Sequence, residues 1–405
     1  MTIRFVLAGA CAALTFLPAT ARAENGLFYY CYGVASCGMG GASIATASGP
    51  EDALRNPASL AFSRPGYSIG GGLYLPRRGF TGGTGPLTNP GLAPGDEVES
   101  RGDVYPRGTI ALSRRITPNL TFGLSGSDWG GGVTDYKVSR SAPGAAGNFD
   151  TEAMILVGTL NASLAYRATE TLSFGASLVV GTQYLDTDFI TKAFTAPENA
   201  GEGSTVMGIG LRAGLMYQEG PVSLGAYAAS PIWFQEHGKY DDLLSGPIDV
   251  PAQLGVGMAY AFTPTTRVAA DVSYTFYEDT EILGGQTVDG GFGWEDQWAI
   301  ALGLEHDLSE KFTVRGGYNY SPSQIPDENS FANALAPTIT EHVVSAGFSW
   351  RPDGTPDREF SFAASWAPET SQTDPGDGNA FSAAGNDTEI FMEEVQLLVG
   401  FTRRF

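Results

Sequence analysis

The sequence is short of charge, of histidine and of cysteine. Only 17% of its 405 residues are charged, and 23 basic side chains face 44 acidic ones. The resulting net charge of −21 excludes nucleic acid as a partner, because phosphate backbones select basic surfaces. Three histidines (His237, His306, His342) and three cysteines are scattered without metal-ligand spacing, so no metal site is expected. G-x-S-x-G, H-E-x-x-H and Walker-type loops are missing; the chain reads as a non-enzyme with no cofactor. The glycine runs Gly70–Gly72 and Gly130–Gly132 sit in or beside strand patterns, not before helices, which disfavours phosphate cradles. His306 and His342 fall at strand ends with outward or turn-side parity, a poor setting for a Ser/His hydrolase. After the first 23 residues there is no apolar run of about 18 residues, hence no transmembrane helix.

What is abundant is glycine: 54 residues, about 13% against a typical ~7%. Hydrophobic residues make up 42% and aromatics 11%, too much for a disordered chain. Mean hydropathy is −0.06, low for a helical membrane protein. A β-rich domain or one large barrel fits this composition.

Residues 1–23 read as a signal peptide: Arg4, an apolar stretch Phe5–Pro18, and the cleavage box Ala21-Arg22-Ala23. A membrane anchor is the alternative, weakened by the short apolar core. Cleavage removes Arg4, Cys11 and Arg22, moving the net charge two units further negative. It leaves Cys31 and Cys37, an even and closely spaced pair expected to form a disulfide in an oxidising compartment.

Period-two alternation runs through the rest. Leu160, Ala162, Leu164 and Tyr166 share one face; after Ala168–Thr171, Leu172, Phe174, Ala176 and Leu178 do the same. The unit recurs in pairs, giving 14 strands from Tyr67–Leu75, Thr109–Arg115 and Leu120–Gly126 to the last, ending at Phe405. Six short turns alternate with seven long polar connections, at 77–104, 129–153, 186–203, 237–249, 281–293, 321–338 and 369–388. That rhythm is the signature of an all-β, 14-stranded antiparallel transmembrane barrel. With no helix to cross hydrocarbon, a closed barrel is the other way to pair every backbone group. Tyr166, Tyr217, Tyr260, Phe262, Trp350 and Phe405 lie beside the short turns, and Tyr184, Phe276, Tyr320 and Trp366 towards the long loops, as two aromatic girdles. A secreted β-sandwich or adhesin also alternates, but leaves the loop rhythm unexplained. The opposite strand faces carry Gly208, Gly210, Arg212, Gly214, Gly255, Gly257, Gly303, Gly317, Gly347 and Gly400, small enough to leave lumenal room. Residues 24–66 are too many for a leader and are expected to plug it; 67–405 form the barrel.

Residues 38–61 read G-M-G-G-A-S-I-A-T-A-S-G-P-E-D-A-L-R-N-P-A-S-L-A. This run resembles the N-terminal hatch of the FadL-type long-chain fatty acid transporters, a family that includes aromatic-hydrocarbon channels. Asn56-Pro57-Ala58 matches that family's N-P-A signature and Gly40-Gly41-Ala42 its glycine-alanine stretch; the Cys31–Cys37 pair beside Phe28-Tyr29-Tyr30 departs from the prototypes. The resemblance implies passive uptake of hydrophobic compounds: capture among outer loops, a site inside the barrel, and lateral release at a kinked third strand gated by the hatch. On that reading Asn56, Pro57, Ala58, Gly40 and Gly41 serve the hatch. Asp128, Gly130, Gly131 and Gly132 mark the lateral opening, unless these glycines merely begin a loop. A carboxylate would need a cation in an apolar pocket. Arg212 and Arg315 face the lumen by parity, although pairing with Asp271, Glu305 or Glu394 is the role their setting favours. Phe189, Ile190, Phe194, Ile232, Trp233, Phe234, Leu243 and Leu244 are loop residues available for capture, with Tyr240–Ser245 as a short helix among them. The setting implied is the outer membrane of a Gram-negative bacterium, with a monomer contacting lipids, lipopolysaccharide included. The terminal Phe405 would engage the barrel-assembly machinery. A general porin and a surface adhesin or receptor are the alternatives.

Overall fold

A computed structural model describes residues 25–85, 93–136, 151–187, 198–199 and 201–405. The leader segment, Phe189, Ile190 and Phe194 lie outside these. Fourteen long strands form the wall. The first seven are β1 (Gly66–Thr81), β2 (Tyr105–Thr117), β3 (Leu120–Tyr136), β4 (Thr151–Arg167), β5 (Leu172–Thr187), β6 (Ser204–Glu219) and β7 (Val222–Ala229). The others are β8 (Gln253–Thr263), β9 (Thr266–Thr275), β10 (Gln297–Ser309), β11 (Phe312–Tyr320), β12 (His342–Trp350), β13 (Arg358–Thr373) and β14 (Glu389–Arg404). Each pairs antiparallel with its sequence neighbours. Closure comes from β14 on β1, in register from Gly66↔Arg404 to Thr81↔Glu389. Two short strands, Glu97–Glu99 and Trp233–Phe234, add to β1 and β6 on the long-loop side.

The strand count, the short turns and the seven long connections agree with the sequence pattern. Several strands are longer than the alternation suggested. β1 runs on to Thr81 and β3 to Tyr136, ten residues beyond Gly126. The residues Ser127–Gly132 therefore belong to the wall, not to the start of a loop. Period-two reasoning stopped at them because glycine carries no side chain to assign to a face.

Outward faces are apolar: Ile110, Leu160, Leu164, Ile209, Leu211, Val256, Leu304 and Val399 are all exposed. Hydrocarbon around a barrel takes the place that a core takes in a soluble protein. Inward faces carry glycine, alanine, serine and threonine, and the N-terminal segment occupies the room they leave. It is built from a single helical turn (Val34–Cys37) and two 3₁₀ turns (Pro50–Leu54, Pro57–Ala61). It touches wall strands all round the lumen. A Cβ on Gly400 would meet Val34, on Gly347 Gly38, and on Gly317 Gly40. On Gly225 it would meet Ile44, and on Gly123 Leu60. Small inward residues are thus the seat of the plug.

Candidate functional site

The N-P-A signature shows how the segment is held. Asn56 caps the turn Pro57–Ala61 by accepting from the Ala58 N–H at 3.1 Å, with Pro57 pre-set for the first helical position. Its amide donates to the Ile44 carbonyl at 2.8 Å and to the Leu215 carbonyl of β6 at 3.1 Å. Gly175 and Gly214, directly paired across β5 and β6, make the room. A Cβ on the first would lie 2.4 Å from the Ala58 nitrogen, and on the second 2.1 Å from Asn56 Oδ1. Gly40 and Gly41 have left-handed backbones (φ 67° and 89°), a conformation open to glycine, and press on Tyr318 and Tyr30. The Gly40 N–H donates to Ser345 Oγ at 3.0 Å.

Ionic contacts secure the rest at the short-turn end. Asp271 of β9 accepts from the Ser43 and Ile44 N–H groups at 2.6 and 2.8 Å. Arg404 Nη2 donates to the Ser48 carbonyl at 2.8 Å. Asp52 accepts from Ser48 N–H at 2.7 Å and Thr46 Oγ1 at 3.0 Å. Burial, and then the neighbouring Glu51 carboxylate, push the Asp52 carboxyl up to about 7 against those hydrogen bonds.

The two lumenal arginines are part of this framework. Arg212 donates to the Leu54 carbonyl. Arg315 bonds Glu305 Oε2 at 2.7 Å and Ser349 Oγ at 2.6 Å. Neither lines the cavity described next, so the structure separates them from an apolar ligand site. Their inward parity was legible, and so was Glu305 as a partner, which Arg315 takes; the Leu54 carbonyl of the plug as the partner of Arg212 was not.

At the long-loop end lies an apolar cavity of about 950 Å³, its mouth included. β3, β4 and β5 contribute Gly131, Gly132, Ile155 and Leu185; Leu27 comes from the plug. The loops add Leu243, Leu244, Ile248, Phe292, Trp294, Leu335 and Phe381. No charged side chain stands among the described residues that line it. Leu243 and Leu244 were expected at such a site. Their segment is a turn, closed by Leu243 and Leu244 N–H donating to the Tyr240 carbonyl, rather than a helix. Phe234 and Trp233 do not line the cavity: Phe234 packs on inward Gly181 and Gly208, while Trp233 is exposed. Phe292, Trp294 and Leu335 were missed, because loop residues without periodicity give no sign of facing each other.

The cavity wall contains the irregularity of β3. Asp128 pairs with Gly158 but Gly130 with Val157, so Trp129 is an extra residue in the strand, a β-bulge. Into this bulge the plug inserts backbone: Phe28 bridges Gly130, and Gly131 N–H donates to the Leu27 carbonyl at 3.3 Å. A Cβ on Gly130 would lie 1.8 Å from that carbonyl oxygen, so no other residue fits. Phe28 and Leu27 are themselves steadied by Tyr277, whose hydroxyl accepts from Leu27 N–H and donates to the Asn25 carbonyl, both at 2.9 Å. The Cys31–Cys37 disulfide is formed and closes the next loop of the plug. Arg107 of β2, inward and buried beside it, was also missed. Extending the alternation upstream from Thr109 by one period would have placed it there.

Comparison with known proteins agrees with this architecture. A model of the family described as outer membrane protein transport protein (OMPP1/FadL/TodX) matches residues 244–388. The fold is similar to that of a Pseudomonas aeruginosa FadL homologue, at 16% identity and TM-score 0.69 over 94% of this chain and 100% of that one. It is also similar to the P. putida toluene transporter TodX, at 18% identity and TM-score 0.68 over 93% and 99% of the two chains. The Ralstonia pickettii toluene transporter TbuX gives 19% identity and TM-score 0.63 over 93% and 99%. Comparison with curated protein sequences gives no match. The resemblance is upheld at the level of the fold: this chain is a closed 14-stranded antiparallel β-barrel similar to those of a FadL homologue and the toluene transporters, and its residues 244–388 match the family model.

Proposed function

We propose that the protein is a passive outer membrane channel for small uncharged hydrophobic compounds. The observation that carries this is the cavity, mostly apolar and uncharged throughout its described lining and walled on one side by the β3 bulge. A compound entering between the loops loses its hydration shell there, a gain of about 25 cal/mol for each Å² of apolar surface buried. It leaves sideways into the membrane at Gly130–Gly132 when the backbone of Leu27 and Phe28 withdraws. The N-terminal segment acts as the gate, with the N-P-A turn as its anchor.

A neutral cargo is favoured over a fatty acid because a buried carboxylate needs a partner cation. Arg212 and Arg315, the candidates for that role, already serve the plug and wall. The toluene transporters among the similar structures accord with this reading. A general porin is disfavoured by the filled lumen, and an adhesin by the cavity and its gate.

The test is ligand binding to the protein in nanodiscs, read by Trp294 fluorescence with Trp294→Phe as the control. Toluene is expected to perturb the emission and benzoate, of the same ring size, is not. Equal binding of both would remove the preference for neutral cargo.

A further inference from the structure

We propose that Arg107 is the latch that keeps the N-terminal segment seated in the third-strand bulge. The inference rests on the gated lateral path above. Arg107 projects from β2 into the lumen, and its guanidinium touches three bodies at once. Toward the plug, it lies 3.4 Å from the centre of the Tyr29 ring and donates through Nη2 to the Cys31 carbonyl at 3.2 Å. Toward the far side of the seam it donates through Nη1 to Gln396 Oε1 of β14 at 2.6 Å. Toward the kink, Nε faces Asp128 Oδ2 at 3.5 Å.

Asp128 is the last residue of β3 before the bulge. Its neighbour Ser127 is tied in by a parallel link: Thr109 Oγ1 donates to the Tyr32 carbonyl at 2.7 Å and lies 3.3 Å from Ser127 Oγ. Plug residues 29–32 and the kink therefore meet through two adjacent inward side chains of β2. The disulfide gives the latch a fixed strike plate, because the loop it closes begins at Cys31, whose carbonyl Arg107 holds.

The geometry also says which contact yields. Charge-assisted hydrogen bonds are typically about 2.7–2.9 Å long, so the pair to Asp128 is the loosest of the three. A planar fork of donors can hold ring, carbonyl and carboxylate together; an ammonium is a single point charge and cannot. Releasing Asp128 uncouples the kink while leaving Arg107 on the plug, and the inserted Leu27–Phe28 backbone loses its backing.

The experiment is amide hydrogen exchange on the full-length mature protein in nanodiscs, comparing the natural chain with Asp128→Asn, Arg107→Gln and the double variant. Exchange at residues 27–32 and 130–132 is expected to rise about fivefold in each single variant, the scale of one lost ionic contact. The double variant is expected to exchange no faster than either single one, since both break the same link. Arg107→Lys should fall between the natural chain and Arg107→Gln. Unchanged protection in Asp128→Asn, or additive effects in the double variant, overturns the latch. If Arg107→Gln fails to fold, Asp128→Asn decides alone, being the same size and leaving the plug contacts in place. Entry of the neutral probe N-phenylnaphthylamine into vesicles carrying the natural chain tests the transport reading separately. Raised exchange in Asp128→Asn with no probe entry keeps the latch and ends that reading.

Discussion

The two ends of the lumen are built from opposite materials. At the short-turn end the plug is held by directional contacts: Asp271 on two backbone N–H groups and Arg404 on the Ser48 carbonyl. At the long-loop end Leu27, Ile248, Phe292, Trp294 and Leu335 enclose space that no described charge enters. A polar network specifies one position for the segment that fills the barrel, because each buried group left unpaired would cost a few kcal/mol. An apolar pocket specifies no orientation and tolerates any shape that keeps water out. On the proposed function, one end fixes the plug and the other takes varied cargo. The bulge of β3 lies where the two meet, with plug backbone inserted from one side and cavity open on the other.

The sharpest way to break this contrast is to put a charge where there is none. Leu335→Arg would leave a cation in the apolar end without a partner, at a cost of several kcal/mol unless it swings into solvent. Toluene binding should fall by more than about tenfold while heat-modifiable migration on gels shows an intact barrel. Binding at the natural level would show that the cavity is not the site.

Weakening the polar end should have a smaller effect, and on the plug rather than on binding. Asn56→Ala removes a cap and two carbonyl contacts, about 1–2 kcal/mol of local stability. Limited proteolysis should cut between residues 44 and 62 faster, with toluene affinity changed less than about threefold. If affinity collapses along with protection, the two ends are not separable.

The smallest effect expected is of pH. Asp52 in the seated plug holds its proton up to about 7, above its ordinary ~3.9 when released. The seated form thus binds more protons between those values. Its stabilisation is complete below pH 4 and is lost as pH rises through 7. Exchange protection of residues 44–56 should fall modestly from pH 5.5 to 8, and Asp52→Asn should flatten that dependence. A rise in protection over the same range would reverse the assigned sign.

How far the sequence foretold this follows from where side chains signal their direction. Alternating Leu, Val and aromatic residues marked the fourteen strands, and in several of them an opposite face of Gly, Ala and Ser, because hydrocarbon and lumen impose different chemistry on successive residues. The small inward residues implied a plug, and Asn56-Pro57 carried enough local conformational meaning to mark a turn in it, which the structure places at Pro57–Ala61. Ser127–Gly132 was harder, since glycine has no face and a strand crossing it loses its pattern. Arg107 fell just outside a strand drawn too short. The cavity residues of the loops come from segments far apart in the chain, and no local rule brings Leu27, Trp294 and Leu335 together. The bond of Arg212 to the Leu54 carbonyl of the plug likewise depends on a path through the lumen that periodicity does not describe.

The central claim is that hydrophobic cargo leaves through the wall at the β3 bulge. Its most direct test is deletion of Trp129, the residue that makes β3 one longer than β4 across the bulge, restoring one-to-one pairing from Asp128↔Gly158 onward. Initial uptake of N-phenylnaphthylamine into vesicles carrying the deletion variant should drop to the rate of empty vesicles, with the barrel still heat-modifiable. Uptake at the rate of the natural chain would contradict lateral release.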